Sequence, residues 1–156
     1  MWQVGQGCLV LLVLILVIFI GGINASAYST SVHALDGQDW TEITNIKYPR
    51  YGHSCAVLGH NLFLIGGYPT YKSVEIYNLL DQTWDHEAAA LSSDLSYGHA
   101  LVHDGLLYVV HTAGEVERLA ADMKKWEVVG SVGGWGVGGN RPFHTAPVIT
   151  RQMLNC

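Results

Sequence analysis

The stretch PRYGHSCAVLGHNLFLIGGYPTYKSVEIYNLLDQTW, residues 49–84, decides the fold. It opens on Arg50, Gly52 and His53, passes through an apolar segment to a polar turn at Gly59, His60 and Asn61, and returns through Leu62, Phe63, Leu64 and Ile65 to Gly66 and Gly67. A loop with Tyr68, Pro69 and Tyr71 follows, then a segment carrying Val74, Glu75 and Tyr77, and finally Trp84. This order predicts four strands, at residues 53–58, 62–65, 73–78 and 83–87, with a hairpin at 79–82 between the last two. The second strand is apolar at every position, as expected of a strand covered on both faces. The glycine pair ends it where a Cβ would not fit or where φ must be positive.

Outward from this stretch the landmarks recur. His53, His99 and His144 stand 46 and 45 residues apart, and Trp40, Trp84 and Trp126 stand 44 and 42 apart. Tyr51, Gly52 and His53 are repeated as Tyr97, Gly98 and His99, and Glu117 precedes Trp126 by the same nine residues that separate Glu75 from Trp84. A period near 45 is that of a four-stranded propeller blade. The second copy predicts strands at 99–103, 106–110, 115–120 and 125–129, with Asp104 and Gly105 as a type I′ hairpin. His111 and Thr112 stand where the first copy has its glycine pair. Residues 116–125 taken alone read as helix; in register with 74–84 they read as strand. At the ends, residues 31–43 match only the last two strands of a blade, and 141–150 only the first, with Arg141 and His144 aligned to Arg50 and His53. The two ends are expected to join in one split blade, which would remove an open sheet edge, although Pro147 suits only an edge strand.

On Arg50, Gly52, His53, Gly66, Gly67, Tyr77 and Trp84, repeated in part by Gly98, His99, Trp126 and His144, the chain resembles the kelch-repeat β-propeller family, as a short, secreted-type member. The resemblance implies an all-β fold of two blades plus one composite blade built from the two termini. Closed propellers typically have about four to eight blades. The expectation is therefore an incomplete ring: a shortened member, a truncated fragment without independent function, or a chain that pairs with a second copy into a six-bladed homodimer. Trp84 is expected to wedge its indole against an adjacent blade, and His53 to bond a backbone carbonyl there.

Residues 8–20, CLVLLVLILVIFI, are uninterruptedly apolar and precede a small-residue stretch. This predicts a signal peptide over residues 1–27, cut after Ala27 and leaving 28–156 as the propeller region. Residues 1–7 lack Lys and Arg. The competing reading is an uncleaved membrane anchor, which needs roughly 20 apolar residues and reaches that length only by including Gln6 and four glycines. Either reading places the remainder outside the cytosol. Cys55 and Cys156 would then be an even pair in a compartment where a disulfide is permitted; the other reading is a buried Cys55 on an inner strand. The sequon at Asn24 precedes the expected cut.

A net charge of −5 with interspersed signs provides no basic patch and argues against nucleic-acid binding. No nucleophile elbow, zincin helix, phosphate loop or paired zinc cysteines occur in the sequence. His53, His99 and His144 share one blade position and could converge on an axis, but a metal needs two to four ligands meeting at about 2 Å; no metal and no cofactor are expected. One copper-radical oxidase family uses a kelch propeller, so a metal-dependent or copper-radical remnant is the second reading, though no segment matches that family's site. The leading expectation is a non-catalytic secreted module that binds an extracellular protein or a glycan through inter-blade loops. Tyr68, Pro69, Tyr71 and Trp135, the last in the glycine-rich loop at 133–139, are the candidate anchors.

Overall fold

The computed structural model describes residues 8–12, 16–23, 27–86 and 88–132. These form twelve strands in three antiparallel sheets of four, each built from consecutive strands. The first blade comprises β1 (Cys8–Leu12), β2 (Leu16–Ile20), β3 (Ser31–Asp36) and β4 (Asp39–Asn45). The second comprises β5 (Ser54–Leu58), β6 (Asn61–Ile65), β7 (Val74–Asn78) and β8 (Thr83–Asp85). The third comprises β9 (His99–His103), β10 (Leu106–Val110), β11 (Glu115–Leu119) and β12 (Trp126–Ser131).

The second and third blades follow the expected pattern closely. Asp104 and Gly105 both have positive φ, 49° and 71°, as the two central residues of a type I′ turn require. The segment with helical composition is strand β11, since Leu119 pairs with Trp126 as Tyr77 pairs with Trp84. In the hairpin after β7, Asn78 Oδ1 accepts from the backbone N–H groups of Leu80 and Asp81, which turns the chain back into β8.

Strand β6 explains how blades stack. Leu62 and Leu64 face the first blade, in a cluster with Ile18, Ile20, Val32, Ile46 and Tyr77. Phe63 and Ile65 face the third, in a cluster with Leu91, Leu95, Leu107, Val109, Leu119 and Trp126. Period-two alternation sends successive side chains to opposite faces, and both faces are covered, so the four buried positions from Leu62 to Ile65 are all apolar. Trp84 Nε1 donates to Thr44 Oγ1 in the first blade at 3.0 Å. Trp126 Nε1 donates to the Ala89 carbonyl in the segment between the second and third blades at 2.9 Å. Each indole thus reaches backwards to the element before its own blade.

The first blade corrects one expectation. It is not assembled from the two termini: its first two strands are cut from the N-terminal apolar run. Cys8 pairs with Ile20 and Leu12 with Leu16 across the β1–β2 hairpin, and Ile18 and Ile20 are fully buried. The physical reason lies in the same doubly covered pattern as β6. Gly21 and Gly22 follow β2 as Gly66 and Gly67 follow β6, with φ of 57° and 101° against 65° and 89°. In each pair the second glycine donates to the linker ahead of the next blade, Gly22 to Arg50 O at 3.0 Å and Gly67 to Leu95 O at 2.8 Å. A Cβ on Gly67 would come within 2.8 Å of the His53 Cβ, so the close approach admits only glycine. Trp135, Arg141, His144, Pro147 and Cys156, and the sequon at Asn24, lie outside the described residues. Cys55 is half-buried on β5, opposite Leu64. Among the described residues no helix is long and apolar enough to cross a membrane.

Candidate functional site

The turns at one end of the blades, where second strands hand over to third strands, gather five tyrosines. Tyr28 comes from the β2–β3 connection, Tyr68 and Tyr71 from the β6–β7 loop, and Tyr51 and Tyr97 from the segments leading into β5 and β9. Backbone hydrogen bonds hold them. Tyr51 and Tyr68 exchange N–H···O bonds of 3.1 and 2.9 Å, and Tyr97 N–H donates to Gly52 O at 2.7 Å. Gly52 has φ +63°, and a Cβ there would sit 3.1 Å from the Tyr97 ring. The peptide bond between Tyr68 and Pro69 is cis.

The rings form a continuous patch. Tyr28 stacks on Tyr51 with centroids 5.2 Å apart, and Tyr68 lies 5.8 Å from Tyr28 and 5.4 Å from Tyr51. Tyr71 meets Tyr68 edge-on at 5.6 Å, and Tyr97 meets Tyr51 edge-on at 6.2 Å. These offset and edge-to-face arrangements are the favoured ones for aromatic pairs. Tyr28, Tyr68 and Tyr97 remain about two-fifths exposed, at 40%, 37% and 40%. Desolvation first, and then the mutual proximity of the phenols, push the Tyr28 and Tyr71 hydroxyls above their ordinary range; desolvation also raises Tyr97. Tyr28, Tyr71 and Tyr97 therefore keep their O–H groups at neutral pH, over flat apolar rings. Such groups suit recognition, because Tyr presents a large contact area with few rotatable bonds.

Beneath the patch lie buried polar groups at repeat positions. Glu75 is fully buried; Arg50 Nη2 donates to its Oε1, and its Oε2 accepts from Lys47 N–H at 2.9 Å and faces His86 Nδ1 at 2.5 Å. Arg50 also donates to Gly66 O at 3.0 Å, which ties the start of the blade to its glycine pair. His53 is enclosed beside the Ile20 main chain of the first blade, but neither ring nitrogen makes the expected hydrogen bond to a backbone carbonyl there; burial, with the Arg50 charge adding to it, pushes its pKa down to about 3. A neutral, enclosed His53 and an exposed His99 do not share a metal-like environment. In the third blade Glu117 takes the place of Glu75 and is likewise fully buried, while Ser96 stands where Arg50 would be.

The sequence expectation therefore meets the structure in parts. Tyr68, Pro69 and Tyr71 do stand together at an exposed loop. Tyr28, Tyr51 and Tyr97 were not singled out, although Tyr51 and Tyr97 belong to the repeated Tyr-Gly-His triplet and hold the same blade position. Trp84 and Trp126 are blade wedges, Gly98 closes the entry to β9, with 2.3 Å between its would-be Cβ and a Leu95 methyl, and Tyr77 packs 4.8 Å from Trp84.

Comparison with known proteins adds four matches. Residues 49–88 match the model of the Kelch motif. The chain is 31% identical over 120 residues to the Kelch-like protein terF of Aspergillus terreus, an overlap of 69% of this chain and 25% of that protein. It is 28% identical over 105 residues to Kelch-like protein 23 of Homo sapiens, an overlap of 62% of this chain and 18% of that one. The chain thus spans about a quarter or less of the curated relatives it matches. A solved structure, that of YjhT, superposes with a TM-score of 0.66 at 15% identity, over 83% of this chain and 52% of that one.

Proposed function

The chain is a kelch-repeat protein of propeller blades, and from that premise we propose that it is a non-catalytic recognition module whose tyrosine patch is the contact surface. One observation carries the proposal: five tyrosines from three successive blade entries and loops meet ring to ring at one end of the blades, with three of them substantially exposed. A protein surface is the first occupant to test, because interface hot spots are enriched in Tyr. A glycan, whose apolar faces stack on aromatic rings, is the second.

The test introduces Tyr68→Ser and Tyr97→Ser together. The variant is compared with wild type for capture of the same cross-linked partner, with the cross-linker placed at residue 28 or, as control, at residue 81 in the opposite-end hairpin. A glycan array run alongside separates the two occupants. The expected outcome is one partner captured from position 28 only, lost at least tenfold in the double variant at an unchanged melting temperature. Equal capture from both ends, or capture indifferent to the tyrosines, refutes the patch.

The compartment is part of the same proposal. Export with removal of residues 1–27 was the expectation from the apolar run. Burial of Ile18 and Ile20 at the first blade boundary supports instead a chain that keeps them. A second copy of the chain completing a ring is proposed for the face of β12, where among the described residues Val128, Val129 and Val132 are roughly half exposed, at 53%, 45% and 45%.

A further inference from the structure

We infer that His111, Glu115 and Glu117 form a divalent metal site in the third blade, with zinc as the ion that fits the donor set. Their ligand atoms lie within 4.8 Å of one another, His111 standing in the turn after β10 and Glu115 and Glu117 on β11. His111 and Glu117 are buried and Glu115 half-buried.

The His111 ring is engaged at both nitrogens. Its Nδ1 lies 3.1 Å from the Asp94 carbonyl oxygen. A carbonyl only accepts, so Nδ1 carries a proton and donates. That is the outer-shell bond by which a metal-bound histidine is usually oriented. Nε2 then presents its lone pair, and 2.8 Å away it faces Oε1 of Glu117, an acceptor. At that distance a proton on Nε2 joins the metal-free pair, and a zinc ion bonded to both would part the two atoms by about 0.5 Å.

Glu117 itself is held for this. Its Oε2 accepts from Ser92 N–H at 2.8 Å and its Oε1 from Ser93 N–H at 3.1 Å. A proton on Nε2 would satisfy the His111–Glu117 pair and nothing more. Glu115 Oε1 is also enclosed and has no hydrogen-bond partner, and a proton shared by the other two leaves it so. A metal ion held by all three side chains would give the Glu115 carboxylate a partner as well. Three atoms with mutual distances of at most 4.8 Å have a common point within roughly 2.8 Å of each, so side-chain shifts of less than about 1 Å bring them to the 2.0–2.2 Å of zinc bonds. Imidazole with two carboxylates is a zinc donor set and leaves a fourth position open.

The second blade shows what the site replaces. There the equivalent carboxylate, Glu75, meets the Arg50 guanidinium, and Arg50 in turn holds the carbonyl of Gly66. The third blade has Ser96 in place of the arginine and His111 in place of the first glycine. The departure from the glycine pair and the loss of the arginine are thus one exchange: a metal clip stands where the second blade uses an internal cation.

Zinc binding to the full chain tests this. After chelator treatment and dialysis, Zn2+ is titrated calorimetrically and metal content is counted after gel filtration, for wild type and for Glu115→Gln. One zinc per chain, a melting temperature raised by zinc, and affinity lowered at least tenfold in Glu115→Gln are expected. The metal-free melting temperature of Glu115→Gln should match the metal-free wild type, which separates lost coordination from lost fold. Co2+ should give visible d–d bands that Glu115→Gln weakens. Wild type without stoichiometric zinc, or a Glu115→Gln variant that binds it equally, overturns the site and leaves a protonated His111 paired with Glu117.

Discussion

Replacing Ile20 with alanine should destabilise the folded chain by about 3 kcal/mol, provided the N-terminal run is part of the blade. Ile20 is fully buried, in a cluster with Leu62 and Leu64 of β6 and Val32 of β3. The substitution removes three carbons, worth about 0.8 kcal/mol each in transfer alone, and the cavity term brings measured Ile-to-Ala losses to about 2–5 kcal/mol. Against a typical total of roughly 5–15 kcal/mol this is a large displacement of a urea midpoint. Leu64→Ala, on the other side of the boundary, should cost a similar amount. Because the two residues share one cluster, the double variant should deviate from additivity by about 0.5 kcal/mol or more. Intact mass on the same samples reports whether residues 1–27 are present. A mature chain beginning at Tyr28, with Leu64→Ala destabilising and Ile20→Ala silent, would refute the blade assignment and restore the leader.

His53 makes stability depend on acidity in a direction its pKa dictates. The folded value is about 3 and the ordinary one 6.5, so the unfolded chain binds a proton first as pH falls. Stability is intact above pH 6.5 and declines by about 1.4 kcal/mol per pH unit below it until the folded group titrates; a His53→Asn variant should show a shallower decline between pH 6.5 and 5. Arg50→Met leaves Glu75 without its buried cation and should cost about 3–5 kcal/mol in a urea melt, with part of the loss recovered by adding Glu75→Gln. Light scattering on the purified full chain should give a dimer that survives dilution through the micromolar range; a sharply melting monomer contradicts ring completion by a second copy.

The blades were legible along the sequence because each is four consecutive strands. A local hairpin pattern, its closing tryptophan and its glycine pair all fall within about 45 residues, and β5 to β12 follow the expected order. The N-terminal blade carried the same signal in weaker form: Gly21 and Gly22 stand 45 residues before Gly66 and Gly67 behind a similar apolar strand. An apolar run looks the same whether a leader, an anchor or a doubly covered hairpin, because hydropathy records that water is excluded and not what excludes it.

The sequence by itself determined the blade period and the all-β class, since those depend on near neighbours and on alternation along a strand. Only the tertiary structure decided what covers the far side of β6, which tyrosines share a surface, and which cation each buried carboxylate receives. Tyr28, Tyr51, Tyr68 and Tyr97 are separated by 17 to 29 residues and meet only because successive blades bring the same end of each sheet together. Glu75 and Glu117 are indistinguishable as letters in a repeat. Their chemistry differs because Glu75 has a guanidinium beside it as well as the His86 imidazole, whereas Glu117 has an imidazole and a second acid and no guanidinium.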